Sequence, residues 1–292
     1  MTLWLLAMIG CFGNSSSTDG PVAGAASGPG DDRPVWMFRL RNGTWKRSDD
    51  PIAHSASSLG LGVSEGQLVL TMQCFWGDCG DERKRKEIGP PVHALKTRDL
   101  NTWTAAMWRL EDPADRVPID TEVREGSVWY YGTRAGMMGD PAQHRDAHTL
   151  YKAQISGDRL IQPVAMFSSP GAADPAPLTV GGETVLFATT RPGQAIGMAR
   201  GNPLALQREW SGVSVPHAME FQGQLWLWAQ TVRDGRMTVV RTISEDRGQT
   251  WSDWTTPLPL DGLNGCGNPV GAVFDGSPVV FCVSEPLRLK AR

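Results

Sequence analysis

Three acidic residues stand near the starts of strands in a repeated pattern: Asp120 in Pro118-Ile119-Asp120, Asp174 in Asp174-Pro175, and Glu220 in Pro216-His217-Ala218-Met219-Glu220. Gathered round one axis, three carboxyl groups divide the work of general acid, general base and pKa modulator that cleavage of a glycosidic bond requires. Left apart, they are residues that cap backbone groups where strands begin. His217 accompanies Glu220 on the same segment and is read as a ligand-contacting residue. A second set is basic. Thr133-Arg134-Ala135-Gly136, Thr190-Arg191-Pro192-Gly193 and Thr231-Val232-Arg233-Asp234-Gly235 each bring an arginine to the end of a strand. Three guanidiniums round one opening would hold a ligand carboxylate, because the planar fork stays charged and binds bidentately. The plainer alternative is that each pairs with a neighbouring acid or covers a tryptophan face. Trp76 offers a flat surface for stacking on a sugar ring. Asp140, His144, Asp146 and His148 are spaced to place several ligands near a cation, but no regular element fixes them, and the reading includes no metal and no cofactor.

A repeat supplies the scaffold. Apolar strand, Gly-containing turn and alternating strand recur five times, around Gly66, Gly126, Gly182, Gly223 and Gly276, at intervals of 41 to 60 residues. Those are blade-sized steps for a propeller of four-stranded sheets. Each hairpin provides the inner two strands of a blade. Outer hairpins are expected at Val92 to Thr104, about His148 to Phe167, Ile196 to Trp210 and Met237 to Trp254. Nothing after Phe281 can complete the fifth blade, whereas Val35 to Leu40 with Thr44-Trp45-Lys46 has the missing pattern. The expectation is an all-β, five-bladed β-propeller closed by N- and C-terminal strands in the same blade, with a β-sandwich as runner-up. On this plan the acids and arginines meet on one face.

The totals suit that plan. The 292 residues include 33 Gly, 21 Pro and 12 Trp, and 28 Lys and Arg against 31 Asp and Glu give a formal charge of −3. There is no basic excess, so nucleic acid is set aside as a partner. Residues 1–11 read as a signal peptide ending in Met8-Ile9-Gly10-Cys11, with Cys11 as the lipidated residue. Residues 12–34 form a Ser/Gly/Ala/Asp/Pro tether, 35–286 the propeller and 287–292 a tail. The membrane is met through that anchor alone, and an extracytoplasmic, envelope-bound monomer is expected. Cys74, Cys79, Cys266 and Cys282 remain as an even set, which an oxidising compartment favours pairing. Of three connectivities, Cys74–Cys79 with Cys266–Cys282 is favoured as local to single blades.

Ser244-Glu245-Asp246-Arg247-Gly248-Gln249-Thr250-Trp251 matches the pattern Ser-x-Asp-x-Gly-x-Thr-Trp. Ser244 and Asp246 can fold oxygens back onto backbone N–H groups, Gly248 supplies a positive φ, Thr250 continues the turn and Trp251 wedges beneath it. Thr97 to Trp103 and Arg41 to Trp45 echo the motif. The stretch and its echoes resemble the Asp-box of the sialidase-like propeller superfamily, and the Asp-Pro dipeptide resembles five-bladed arabinanase- and xylosidase-like glycosidases. The resemblance implies a propeller fold with a structural, non-catalytic Asp-box. It also implies a grip of Arg134, Arg191 and Arg233 on an acidic sugar. Two functions follow: a lipoprotein that binds a glycan, acidic by this reading, or another surface ligand; or a glycoside hydrolase using Asp120, Asp174 and Glu220.

Overall fold

A computed structural model of the chain describes residues 33–53, 56–74, 92–111, 117–133, 147–191 and 194–285. Every element in it is a strand. Blade one comprises β3 (Ala56–Ser64), β4 (Gln67–Cys74), β5 (Val92–Thr97) and β6 (Thr104–Leu110); blade two comprises β7 (Val117–Arg124), β8 (Ser127–Thr133), β9 (Ala147–Ser156) and β10 (Arg159–Pro170). Blade three holds β11 (Ala173–Val180), β12 (Glu183–Arg191), β13 (Ala195–Arg200) and β14 (Ala205–Ser211), and blade four β15 (Ser214–Phe221), β16 (Gln224–Arg233) and β17 (Arg236–Ser244). Blade five combines β18 (Asn264–Phe274) and β19 (Ser277–Glu285) with the N-terminal β1 (Val35–Arg41) and β2 (Thr44–Arg47), in the order β18-β19-β1-β2. The closure is as the sequence predicts: Val35 pairs with Val283 and Arg39 with Val279, antiparallel. Cys266 and Cys282 form a disulfide between β18 and β19. Cys11, Cys79 and the expected Cys74–Cys79 bridge lie outside the described residues.

Both faces of each sheet are covered by neighbouring blades, so the inner strands read as continuous apolar runs rather than strict alternation. Five core clusters fill the five gaps between blades. Leu68 and Leu70 face blade five, for example, whereas Val69 between them faces blade two. Blades one and two depart from the simple plan. Their outer strands pair in parallel, Arg109 with Arg159 and Leu110 with Leu160, giving one eight-stranded sheet. Their inner strands also run unusually close. A Cβ on Gly60 would lie 1.4 Å from Thr121 O, and one on Gly62 1.9 Å from Val123 O, so only glycine fits. The fourth strand of blade four is reduced to a single bridge, Arg241 to Thr255.

The Ser244–Trp251 turn is tied by its own side chains. Ser244 Oγ donates to Asp246 Oδ1 at 2.8 Å and accepts from Gly248 N–H at 2.7 Å; Thr250 donates N–H and Oγ–H to the Asp246 carboxylate at 2.8 and 2.6 Å. Trp251 meets Phe187 and Trp210 of blade three edge-on, at 5.7 and 5.6 Å. In blade one, Asp99 accepts from Asn101 and Thr102 N–H at 2.8 Å, and Trp103 meets Phe281 of blade five. Asn42-Gly43 is an ordinary two-residue hairpin turn, with φ of 49° and 76°, yet Trp45 beyond it packs on Trp226 and Trp228 of blade four. Each of these tryptophans thus wedges against the preceding blade.

A charged network on the axis joins all five blades. Glu122 of β7, 2% exposed, accepts Leu61 N–H of blade one at 2.9 Å and lies 2.8 Å from the Arg124 guanidinium. Arg124 also donates to Pro177 O of blade three at 2.9 Å and Ala218 O of blade four at 2.7 Å. His217 Nε2, from blade four, lies 2.9 Å from the Glu122 carboxylate, and Gly271 N–H of blade five donates to His217 Nδ1 at 3.0 Å. With Nδ1 accepting, the proton sits on Nε2 and faces Glu122, so the imidazole is neutral.

Two outcomes follow. Glu122→Ala strands a mostly buried guanidinium and an N–H, and is expected to cost about 3–5 kcal/mol in urea denaturation. Asp246 is held at a pKa of about 2 by Thr250, Ser244 and Gln249. Its contribution to stability is present above pH 4 and fades as pH falls toward 2. Asp246→Asn should therefore melt earlier than wild type at pH 6, with the gap closing by pH 2.

Candidate functional site at the axial mouth

The first strand of every blade carries a bulge in its pairing with the second, between Ala56 and Leu59, Ile119 and Glu122, Ala173 and Ala176, Ser214 and His217, and Gly267 and Val270. In blades two to five the first bulged residue has a left-handed backbone: Asp120 at φ 49°, Asp174 at 49°, Val215 at 53° and Asn268 at 48°. No residue among these is glycine, and for β-branched Val215 the conformation is strained. It persists because neighbouring blades hold the amides. Val215 N–H donates to Thr189 Oγ1 of blade three at 3.1 Å, Asn268 N–H to Gln230 Oε1 of blade four at 2.7 Å, and Asp174 N–H to the Asp120 carboxylate of blade two. The bulges thus form a ring one layer above the Glu122 network, and Asp120 and Asp174 are adjacent members of it.

Their environments differ. Asp120 accepts Ser58 Oγ–H at 2.8 Å and the Asp174 amide; burial pushes its pKa up and these two donors pull it back. Asp174 accepts Thr189 Oγ–H at Oδ2, 2.5 Å away, and is pushed well above the usual carboxylate range by burial and by the negative charge of Asp120. Thr189 Oγ1 also accepts Val215 N–H at 3.1 Å, which ties the Asp174 carboxyl to the neighbouring ring position. Both carboxyl groups are thus held above the ordinary carboxylate range, Asp174 the more strongly because it also feels the charge of Asp120. An ionised carboxylate beside a carboxylic acid is the pairing that acid–base chemistry uses.

The other expected residues are placed elsewhere. Glu220 is exposed and pairs with Leu225 beside the Gly223 turn, roughly 15 Å along the strand from the bulge, so it is a turn residue on the opposite face. The ring position in its blade belongs to Val215. His217, 1% exposed, is spent in the axial network and does not reach the mouth. The Arg191 guanidinium pairs with Glu209, which also accepts Thr190 Oγ–H at 3.0 Å, in accord with the plainer reading of that arginine. Arg233 lines a recess with residues of β17 and 256–265, apart from Arg191. Trp76, Arg134, Asp140, His144 and Asp146 lie outside the described residues, and His148 stacks on Tyr131 at 4.7 Å. Among the described residues no cluster of three or more His, Cys, Asp or Glu could hold a metal.

Ser58, Thr189, Val215 and Asn268 escaped the sequence reading. One signal for the ring was present: Asp174-Pro175, Val215-Pro216 and Asn268-Pro269 each begin eight residues before their repeat glycine.

No family model matches the chain, and no curated protein matches it by sequence. Its fold is similar to that of an α-L-arabinofuranosidase from Lactobacillus brevis, with a TM-score of 0.55 and 11% identity over 81% of this chain and 86% of that one. An α-L-arabinofuranosidase from Clostridium thermocellum gives 0.53 and 13%, over 76% and 80%. An exo-β-1,3-galactanase from Phanerochaete chrysosporium, solved with galactose, gives 0.52 and 10%, over 78% of this chain and 60% of that one. The chain therefore spans about three-fifths of the galactanase's length. At these identities the likeness is one of architecture: the chain is a five-bladed β-propeller with the fold of these glycosidases.

Proposed function

We propose that the axial mouth recognises a neutral glycan and that Asp120 and Asp174 hydrolyse a glycosidic bond there. The observation that carries the reading is the pairing of the two carboxyl groups on adjacent ring positions, with the Asp174 amide on the Asp120 carboxylate and both groups pushed up by burial, Asp174 also by the charge of Asp120. In this reading Asp174 gives a proton to the leaving oxygen and Asp120 acts as base or nucleophile. The preference for a neutral sugar rests on charge. The acidic character of the Asp120–Asp174 pair and the matching of Arg191 by Glu209 both disfavour an anionic sugar. The propeller relatives, two of them arabinofuranosidases, are consistent with a glycan ligand. The Cys266–Cys282 disulfide supports an extracytoplasmic setting, where Cys11 would carry the lipid anchor.

A second reading, binding without turnover, is favoured by one specific observation. At the two ring positions beyond Asp174 stand Val215 and Asn268, and Glu220 is at the far end of its strand.

Asp120→Asn and Asp174→Asn separate the two. With a panel of neutral oligosaccharides, each is expected to lower kcat by about 10²–10⁴-fold while leaving affinity within a few-fold. Activity of the wild type should fall at low pH as Asp120 is protonated and at high pH as Asp174 ionises. Binding that Asp120→Asn weakens, with no sugar ever released, would establish the second reading; absence of both binding and turnover would overturn the proposal. Asp174 also costs stability once ionised: with a raised pKa, its favourable contribution is present at low pH and lost as pH rises through that value. Asp174→Asn should thus melt above wild type at pH 8, which confirms that the variant folds.

A further inference from the structure

Arg233 and Arg236 flank the two-residue turn Asp234-Gly235, whose φ values are 51° and 73°, and are partners in the β16–β17 register. Partners across such a hairpin project to the same side, and like charges so placed repel. Neither guanidinium makes a hydrogen bond or ion pair among the described residues. Both line one recess of about 500 Å³, formed by the turn on one side and the connection from blade four to blade five on the other. Met237, Leu258, Leu260 and Leu263 supply its apolar part, and Thr238 and Thr256 line it beside them. Gly265, at φ 78°, fixes the floor: a Cβ there would lie 2.8 Å from Met237 O. No ring residue of the axial mouth lines this recess.

We propose that this recess is a second binding site, for a small organic carboxylate with an apolar face, gripped between Arg233 and Arg236. Two forks on one side of a hairpin suit the two oxygens of a carboxylate, and the leucines of the 256–263 connection take the body of the ligand. Asp234 and Asp261 also line the recess, so its net charge is near zero and it favours a single carboxylate over a polyanion. Arylalkanoates and uronic acids share this chemistry.

The test uses the full chain with phenylacetate and glucuronate as probes, 2-phenylethanol and glucose as their neutral counterparts, and calorimetry as readout. One carboxylate or both should bind, their neutral counterparts should not, and the better probe identifies the source. Arg233→Gln and Arg236→Gln should each weaken binding tenfold or more, and Arg236→Lys should not restore it. A second measurement needs no ligand: in low salt each Arg→Gln should raise the melting temperature by relieving repulsion, and about 1 M salt should erase the gain. Equal affinity for the neutral probes, no carboxylate binding up to about 10 mM, or a lower melting temperature in Arg236→Gln would overturn the site.

Discussion

The Glu122 carboxylate is the interaction on which the rest of the structure depends. In a propeller each blade packs against its two neighbours, and only at the axis can one side chain reach blades that are not adjacent. Glu122 and its partners use that place to touch all five: Leu61 in blade one, Arg124 in blade two, Pro177 in blade three, His217 and Ala218 in blade four, Gly271 in blade five. Burying a carboxylate and a guanidinium is costly unless every donor and acceptor is met, so the network tolerates little displacement of one first strand relative to another. The blades outside it are held by packing, with tryptophans 45, 103 and 251 filling gaps between successive sheets.

That rigidity positions the layer above. Asp120 lies two residues before Glu122, and Val215 two before His217. Fixing the lower layer fixes the bulges, and the bulges turn their amides onto the preceding blade. Left-handed backbone at Asp120 and Asp174 is strain maintained at the mouth by cross-blade hydrogen bonds, as strain at functional sites commonly is. One consequence is electrostatic: the two carboxyl groups are brought close under burial, which pushes both upward, and Asp174 the more strongly because of the neighbouring charge of Asp120. The outer recess beside Arg233 draws on different elements, the β16–β17 turn and the 256–263 connection, and is free of this constraint.

Much of the architecture was legible because it is written in period and turn chemistry. The five glycine-marked hairpins, the outer hairpins of blades one to three and the return of the N-terminal strands to blade five are local patterns, and each is found where its pattern lies. In blade four only the first strand of the expected Met237 to Trp254 hairpin forms, the second being the single bridge at Thr255. The merged edge of blades one and two was not legible, since Arg109–Leu110 and Arg159–Leu160 carry no mark of a parallel partner. In the bulge ring, Asp120 and Asp174 stand near the strand starts where their place before a repeat puts them. Glu220 was grouped with them by chemistry rather than by register, and a count from Gly223 puts Val215 in the ring instead. His217 was read toward the ligand because a histidine near a strand start shows nothing of its depth; its partner Glu122 comes from another blade, 95 residues away. Of the arginines that shared a sequence context, Arg191 is matched by Glu209 and Arg233 lines the outer recess, while Arg134 lies outside the described residues.

The central claim is that the axial architecture forces Asp120 and Asp174 to share one site with a single readily held proton. Carboxyl-carbon NMR titration of the two residues measures it directly. The account predicts that Asp174 titrates well above the ordinary range near 4 and above Asp120, and that Asp120→Asn brings Asp174 back down by removing the neighbouring charge. Two independent titrations near 4, with Asp174 indifferent to Asp120→Asn, would contradict it.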